Sequence, residues 1–120
     1  MRQVKSQNPE LLNLIRSLRK TAKENDAAIW RDVAERLSSS RRRRVAVNLS
    51  RLNRYTKEKE TVIVPGKVLG AGKLEHPIIV AGFAFSEQAQ LKISKAKGKV
   101  LTISELLKDN PKGSNVRIME

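Results

Sequence analysis

The feature that most constrains the fold is an uninterrupted apolar run from Ile78 to Phe85. Both alternating faces of this run are apolar, so a strand formed here has no side suited to water. Strands of that kind occur in α/β proteins, where other elements cover both faces of a sheet. The run is also far short of the roughly 20 residues needed to cross a bilayer. The sequence therefore predicts an α/β fold built around a buried strand.

Two helices are expected before residue 38. Asn8 is a good N-cap and Pro9 suits the first helical position, so the first helix begins there. Asp26 is expected to cap the second helix, which runs to about Leu37. Trp30, the only tryptophan, falls within the apolar stripe of this helix. That position favours a place in the core over stacking on a nucleic-acid base.

Short strands and short helices are expected to alternate in the rest of the chain. Ser50, Ser86 and Ser104 are each placed to cap a helix, and Gly98 is placed to end the middle one. Ser86 lies twice as far from Ser50 as from Ser104, which suggests a repeated strand–helix unit. The predicted strands cover residues 45–49, 61–64, 78–85, 100–102 and 116–118.

The charge balance points to an anionic partner. Lys and Arg number 25 against 12 Asp and Glu, a net charge of +13. Nucleic acid is the commonest partner of so basic a domain, while an acidic membrane surface, an acidic protein or solubility alone are the alternatives. Aromatic residues are only 3% of the chain, which disfavours a platform for unstacked bases. The partner favoured is structured RNA or duplex DNA, met through its phosphates.

The densest block of positive charge is Arg41–Arg44, directly before a predicted strand. Such a block repels itself unless it meets anions, and arginine forks match phosphate geometry. A localisation signal or a flexible tether is the alternative. Cations on the first helix form either a solvated face or a strip that follows phosphates. The candidate RNA contacts are Arg16, Arg19, Lys20, Lys23, Arg41, Arg42, Arg43, Arg44, Arg51, Arg54, Lys67, Lys73, Lys92 and Lys95.

The glycine-rich segment from Pro65 to Lys73 resembles a nucleotide loop but fails its pattern. The interval between Gly66 and Gly72 is one residue too long, and Leu74 stands where a magnesium-binding Ser or Thr is required. We expect a rigid turn instead, with Gly66 at the positive-φ position of a type II turn. Lys67 and Lys73 would then carry charge to phosphate.

Catalytic and metal chemistry find little support in the composition. The chain has no cysteine, so thiolate sites and disulfides are excluded. Its single histidine, His76, precedes Pro77 in a predicted turn, which favours a surface role over a place in a catalytic triad. We expect no enzyme, no cofactor, no metal and no small-molecule substrate. The N-terminus lacks the apolar stretch of a signal peptide, and this favours a soluble cytoplasmic protein that does not interact with a membrane.

Several motifs in order give the chain a family resemblance. They are Ala28–Leu37, Val45–Leu52, Val64–Gly70 and Asn110–Ser114. Together they resemble the archaeal and eukaryotic large-subunit ribosomal protein "eighteen-e" family, which is related to ribosomal protein fifteen. The chain's short length looks archaeal.

That resemblance implies a single compact α/β domain, with two N-terminal helices followed by an irregular superhelix of β-β-α units. Its expected parts are a basic tail (1–7), a helical part (8–37) and a β-β-α part (45–118). It also implies a structural, non-enzymatic protein of the ribosome, with rRNA and neighbouring ribosomal proteins as partners. The alternative is a free nucleic-acid-binding architectural protein or a small translation regulator.

Overall fold

The computed structural model describes residues 8–38 and 45–120. These residues fall into two compact units. One comprises the described residues up to Ser38 together with Ser104–Ser114, and the other comprises Val45–Ile103 with Asn115–Glu120. In chain order the elements are α1 (Pro9–Asn25), α2 (Ala28–Leu37), β1 (Val45–Asn48), α3 (Leu49–Tyr55), β2 (Thr61–Leu69), β3 (Ile79–Phe85), α4 (Glu87–Lys95), β4 (Lys99–Thr102), α5 (Ile103–Asp109) and β5 (Val116–Ile118).

Helices α1 and α2 form as the sequence predicts, apart from the cap between them. The Asn8 side chain accepts a hydrogen bond from the Glu10 amide and so caps α1. The prediction that Asp26 caps α2 was wrong. Asp26 adopts the left-handed conformation, with φ 50°, and its N–H donates to the Ala22 carbonyl. Asp26 therefore ends α1, because aspartate tolerates this conformation better than most residues, and α2 begins without a side-chain cap.

Trp30 lies in the core of the first unit, as predicted. Its side chain is fully buried, and its indole Nε1 donates a 2.8 Å hydrogen bond to the Pro111 carbonyl oxygen. Gly113 follows, with φ 66°, and a side chain there would collide with Ile29 and contact Trp30. The turn after α5 is thus shaped to cover the tryptophan.

The second unit contains one parallel sheet. Its strands lie in the order β1-β2-β3-β4, and β5 pairs with β2. Val80, Ala81 and Gly82 are buried in succession along β3, which confirms that this part of the strand is covered on both faces. The α/β class with two N-terminal helices is therefore confirmed. The sequence β2-β3-α4 follows the expected β-β-α order, whereas β1 and β4 each lead directly into a helix.

The predicted turn at Pro65-Gly66 was wrong, because β2 continues through both residues to Leu69. Gly66 does not have a positive φ; a side chain there would collide with the Val45 carbonyl of β1. The pairing with β5 stops at Ile63, the pairing with β1 starts at Gly66, and the β3 register shifts beside them. Proline has no N–H to donate, so it fits at this interruption of the ladder.

Only one of the three expected serine caps is found. The Ser86 hydroxyl accepts from the Ala89 amide and caps α4. Ser50 and Ser104 lie inside helices that begin at the residue before them, because each preceding strand leads straight into its helix. Gly98 takes part in the end of α4, as predicted, but it does not adopt the left-handed conformation. Lys97 takes the left-handed position after α4, and the Gly98 N–H donates to the Ile93 carbonyl.

Candidate nucleic-acid interface

Three of the four candidate cations on α1 are exposed. Arg16, Lys20 and Lys23 follow one another at intervals of four and three residues, which places them on one helical face. We call these three residues the α1 strip. Lys20 lies 3.9 Å from Glu24. This ion pair is exposed and therefore contributes little to the stability of the fold. Arg19 is different, because its half-buried side chain lies 3.7 Å from Glu35.

On α3, Arg51 is held in a fixed orientation while Arg54 extends into solvent. The Arg51 guanidinium lies 5.1 Å from the centre of the Tyr55 ring. Its Nε donates a 2.5 Å hydrogen bond to the Glu120 carbonyl oxygen. The Tyr55 carbonyl in turn accepts a 2.6 Å bond from Arg117. These contacts pre-order one guanidinium plane beside a half-exposed aromatic ring, which the sequence could not show because Glu120 and Arg117 are distant in the chain.

Lys67 stands alone on the exposed side of β2. Its register partners are Ala46 on β1 and Ala84 on β3, so no acidic side chain faces it across either neighbouring strand. It is the one exposed residue within β2. A cation flanked by small side chains is accessible to a large anionic partner.

We call the Gly70–Lys73 segment the glycine loop. Each of its first three carbonyl oxygens accepts a hydrogen bond from another part of the chain. Lys92 Nζ donates to the carbonyl oxygens of Gly70 and Gly72, at 2.7 and 2.8 Å. The Ser50 amide donates to the Ala71 carbonyl at 3.1 Å. Lys73 follows and is exposed. The loop is therefore held by hydrogen bonds to two other parts of the chain, whereas the predicted turn at Gly66 does not form.

A shallow hollow of about 350 Å³ lies between the glycine loop and α4. Lys73, Lys92 and Lys95 line it, together with Glu75. The Glu75 carboxylate accepts a 3.2 Å bond from Asn53 Nδ2, and its backbone N–H donates to Asn53 Oδ1. The three lysines and the single carboxylate of Glu75 give the hollow a net positive charge. This charge suits the binding of one phosphate group.

The four remaining candidates are not described by the structure, and two exposed lysines were missed as candidates. Arg41–Arg44 lie outside the described residues, so their predicted role stays a prediction. Lys97 and Lys99 are exposed but were not among the candidates. A sequence signal existed for them, because the chain has no acidic residue between Glu87 and Glu105.

No helix within residues 8–38 and 45–120 has the length and apolar character to cross a bilayer. Within the same residues, no three His, Asp or Glu side chains are grouped so that they could hold a metal ion.

The family model described as "Ribosomal protein 60S L18 and 50S L18e" matches residues 1–120. The chain belongs to this family. It is 53% identical over 118 residues to the large ribosomal subunit protein eL18 of Methanoregula boonei, covering 98% of both chains. It is 47% identical over 120 residues to the eL18 protein of Methanothermobacter thermautotrophicus, covering 100% of this chain and 99% of the relative. These matches confirm the family expected from the sequence motifs. The L18/L18e family is structural and non-enzymatic.

Proposed function

We propose that this chain is a structural constituent of the large ribosomal subunit in the cytoplasm. It binds and stabilises folded rRNA through contacts between Lys or Arg side chains and phosphates, and it lies beside neighbouring ribosomal proteins. The names of its eL18 relatives support its assignment to the large ribosomal subunit. The physical properties of the described surface support the mode of binding.

The observation that carries the proposal is a set of exposed cations on stretches of chain without acidic residues. No Asp or Glu occurs between Glu35 and Glu58, between Glu60 and Glu75, or between Glu87 and Glu105. Exposed cations that outnumber their acidic neighbours repel one another, and this repulsion is relieved when they displace counterions from a phosphate backbone. Their positions on helices, a strand and a fastened loop suit the recognition of RNA by its shape.

The exposed aromatic surface is too small for a binder of unstacked bases. Trp30 is fully buried, and Tyr55 is the one aromatic side chain among the described residues that is more than a third exposed. Proteins that bind single strands rely on several such rings. The surface therefore favours folded rRNA as the partner, with affinity supplied mainly by phosphate contacts.

The test is the salt dependence of binding to large-subunit rRNA. Each lost phosphate contact lowers the magnitude of the slope of log K against log salt by about 0.7–0.9. Variants with the α1 strip changed to Gln, Lys67 changed to Gln, or Arg41–Arg44 changed to Ala should each lower the slope while the fold is kept. Lys108→Gln is the matched control, because Lys108 is exposed on α5 beside Asp109 and belongs to none of the proposed contact sets.

Two outcomes would contradict the proposal. If all three sets of variants keep the slope of the parent, the cations do not meet phosphates. If the parent binds any duplex as tightly as large-subunit rRNA, the chain behaves as a general nucleic-acid-binding architectural protein instead.

A further inference from the structure

Lys92 differs from the other candidate cations because its charge is already engaged within the protein. The side chain is half-buried, and its ammonium group donates to the carbonyl oxygens of Gly70 and Gly72 at 2.7 and 2.8 Å. An ammonium group has three N–H donors, so two of the three are committed. The bonds are short and charge-assisted, which places them among the stronger hydrogen bonds in proteins.

The opposite side of the glycine loop is held by the start of α3. The Ala71 carbonyl accepts from the Ser50 amide at 3.1 Å, and the Ala71 amide donates to Asn48 Oδ1 at 3.3 Å. Three successive carbonyls are thus occupied, two by Lys92 and one by the backbone of α3. The loop lies between these two anchors, and neither anchor is adjacent to it in sequence.

Two glycines allow the loop to come this close to its anchors. A Cβ atom at Gly70 would lie 2.8 Å from the Ala89 amide nitrogen of α4. At Gly72 it would lie 2.5 Å from the Ser50 Cβ, and φ there is +92°. Any side chain at either position would push the loop away from the carbonyl positions that Lys92 bridges.

We propose that Lys92 is a positioning residue for rRNA binding and does not itself contact phosphate. It holds the glycine loop in the conformation that places Lys73 beside Lys95 at the hollow, where both meet the same stretch of the RNA backbone. The inference rests on the proposed function. Lys92 was predicted to contact phosphate, and the proposal gives it a different role. The carbonyl oxygens of Gly70 and Gly72 carry partial negative charge, which would repel a phosphate at the hollow if the Lys92 ammonium group did not neutralise it.

The first arm of the test uses the free protein and needs no RNA. Amide hydrogen exchange at Ser50 and Ala71 reports whether the loop keeps its position, because the Ser50 amide bonds to the Ala71 carbonyl and the Ala71 amide bonds to Asn48. Lys92→Met should speed exchange at both amides about tenfold or more, since bonds from charged donors contribute at least that much. Lys95→Met is the matched control, with the same change on the same helix and no change expected at these amides. Unchanged exchange in Lys92→Met would overturn the proposal.

The second arm is a double-mutant cycle measured as affinity for large-subunit rRNA. Lys73→Met should weaken binding in the parent and have little further effect in the Lys92→Met background, because the loop that presents Lys73 has already been released. If Lys92 contacts phosphate directly, the two losses add, and this result would overturn the proposal.

Gly72→Ala gives a variant that releases the loop without removing charge. It should reproduce the loss of the Lys73 contribution while Lys92 and its charge are still present. A full Lys73 contribution in Gly72→Ala would contradict the positioning role, even if Lys92→Met proved too unstable to study. If the parent itself binds no rRNA, the proposed function and the RNA role of Lys92 both fail. The exchange comparison would still show whether Lys92 fastens the loop.

Discussion

Trp30 offers the sharpest test of the first unit, because its two possible roles predict opposite results. Its side chain is fully buried, and its indole N–H donates to the Pro111 carbonyl. Replacing a buried aromatic residue with alanine costs about 3–5 kcal/mol. Loss of the hydrogen bond accounts for about 1 kcal/mol of this, because Pro111 is exposed and water can reach it.

The assay is urea unfolding followed by far-UV circular dichroism, since Trp30→Ala removes the only tryptophan and with it the fluorescence signal. At a denaturant slope of about 1.5 kcal/mol/M, Trp30→Ala should lower the midpoint by roughly 2–3 M. Trp30→Phe keeps most of the ring and should lose less. If Trp30→Ala unfolds with the parent but binds RNA poorly, Trp30 is a stacking residue and the core assignment is refuted.

Two further predictions concern local contacts in the second unit. Gly66→Ala and Gly66→Asn should destabilise the protein equally, by about 1–3 kcal/mol, because either Cβ meets the Val45 carbonyl; in a positive-φ turn, asparagine would be tolerated and alanine would not. Thermal unfolding of the two variants distinguishes these cases, and a well-tolerated Gly66→Asn would contradict the strand assignment. Ser86→Ala should cost about 1 kcal/mol through loss of the cap on the Ala89 amide, measured by urea unfolding, with exposed Ser94→Ala on the same helix as the control. Equal stability of these two variants would show that the cap is not needed.

Several features set by neighbouring residues were predictable from the sequence, although the caps expected from Asp26, Ser50 and Ser104 do not form. Asn8 and Ser86 cap their helices because the interaction extends only two or three residues. The buried part of β3 follows from its own apolar run, and the stripe on α2 places Trp30 in the core. In each case the deciding contacts lie within one element, or the side chain is large and apolar enough to allow only one position.

Two features that the sequence did not predict, at Gly66 and Lys92, depend on distant partners. Gly66 resembles a turn residue because Pro65 precedes it, yet its conformation is decided by β1 passing alongside. In the sequence Lys92 resembles Lys95, the exposed lysine on the same helix, but the carbonyls that bind Lys92 lie on the glycine loop, 20 and 22 residues away. The exposed candidates Arg16 and Lys67 differ, because their accessibility follows from the position of each in its own element.

Sedimentation with ribosomal subunits tests most directly whether this chain is a constituent of the large subunit. A tagged form expressed in its native cells is followed through a sucrose gradient at moderate salt. We expect the chain to sediment with the large subunit and to leave this fraction when the rRNA is digested. A chain that stays with free protein at the top of the gradient, while other large-subunit proteins sediment normally, would contradict the account.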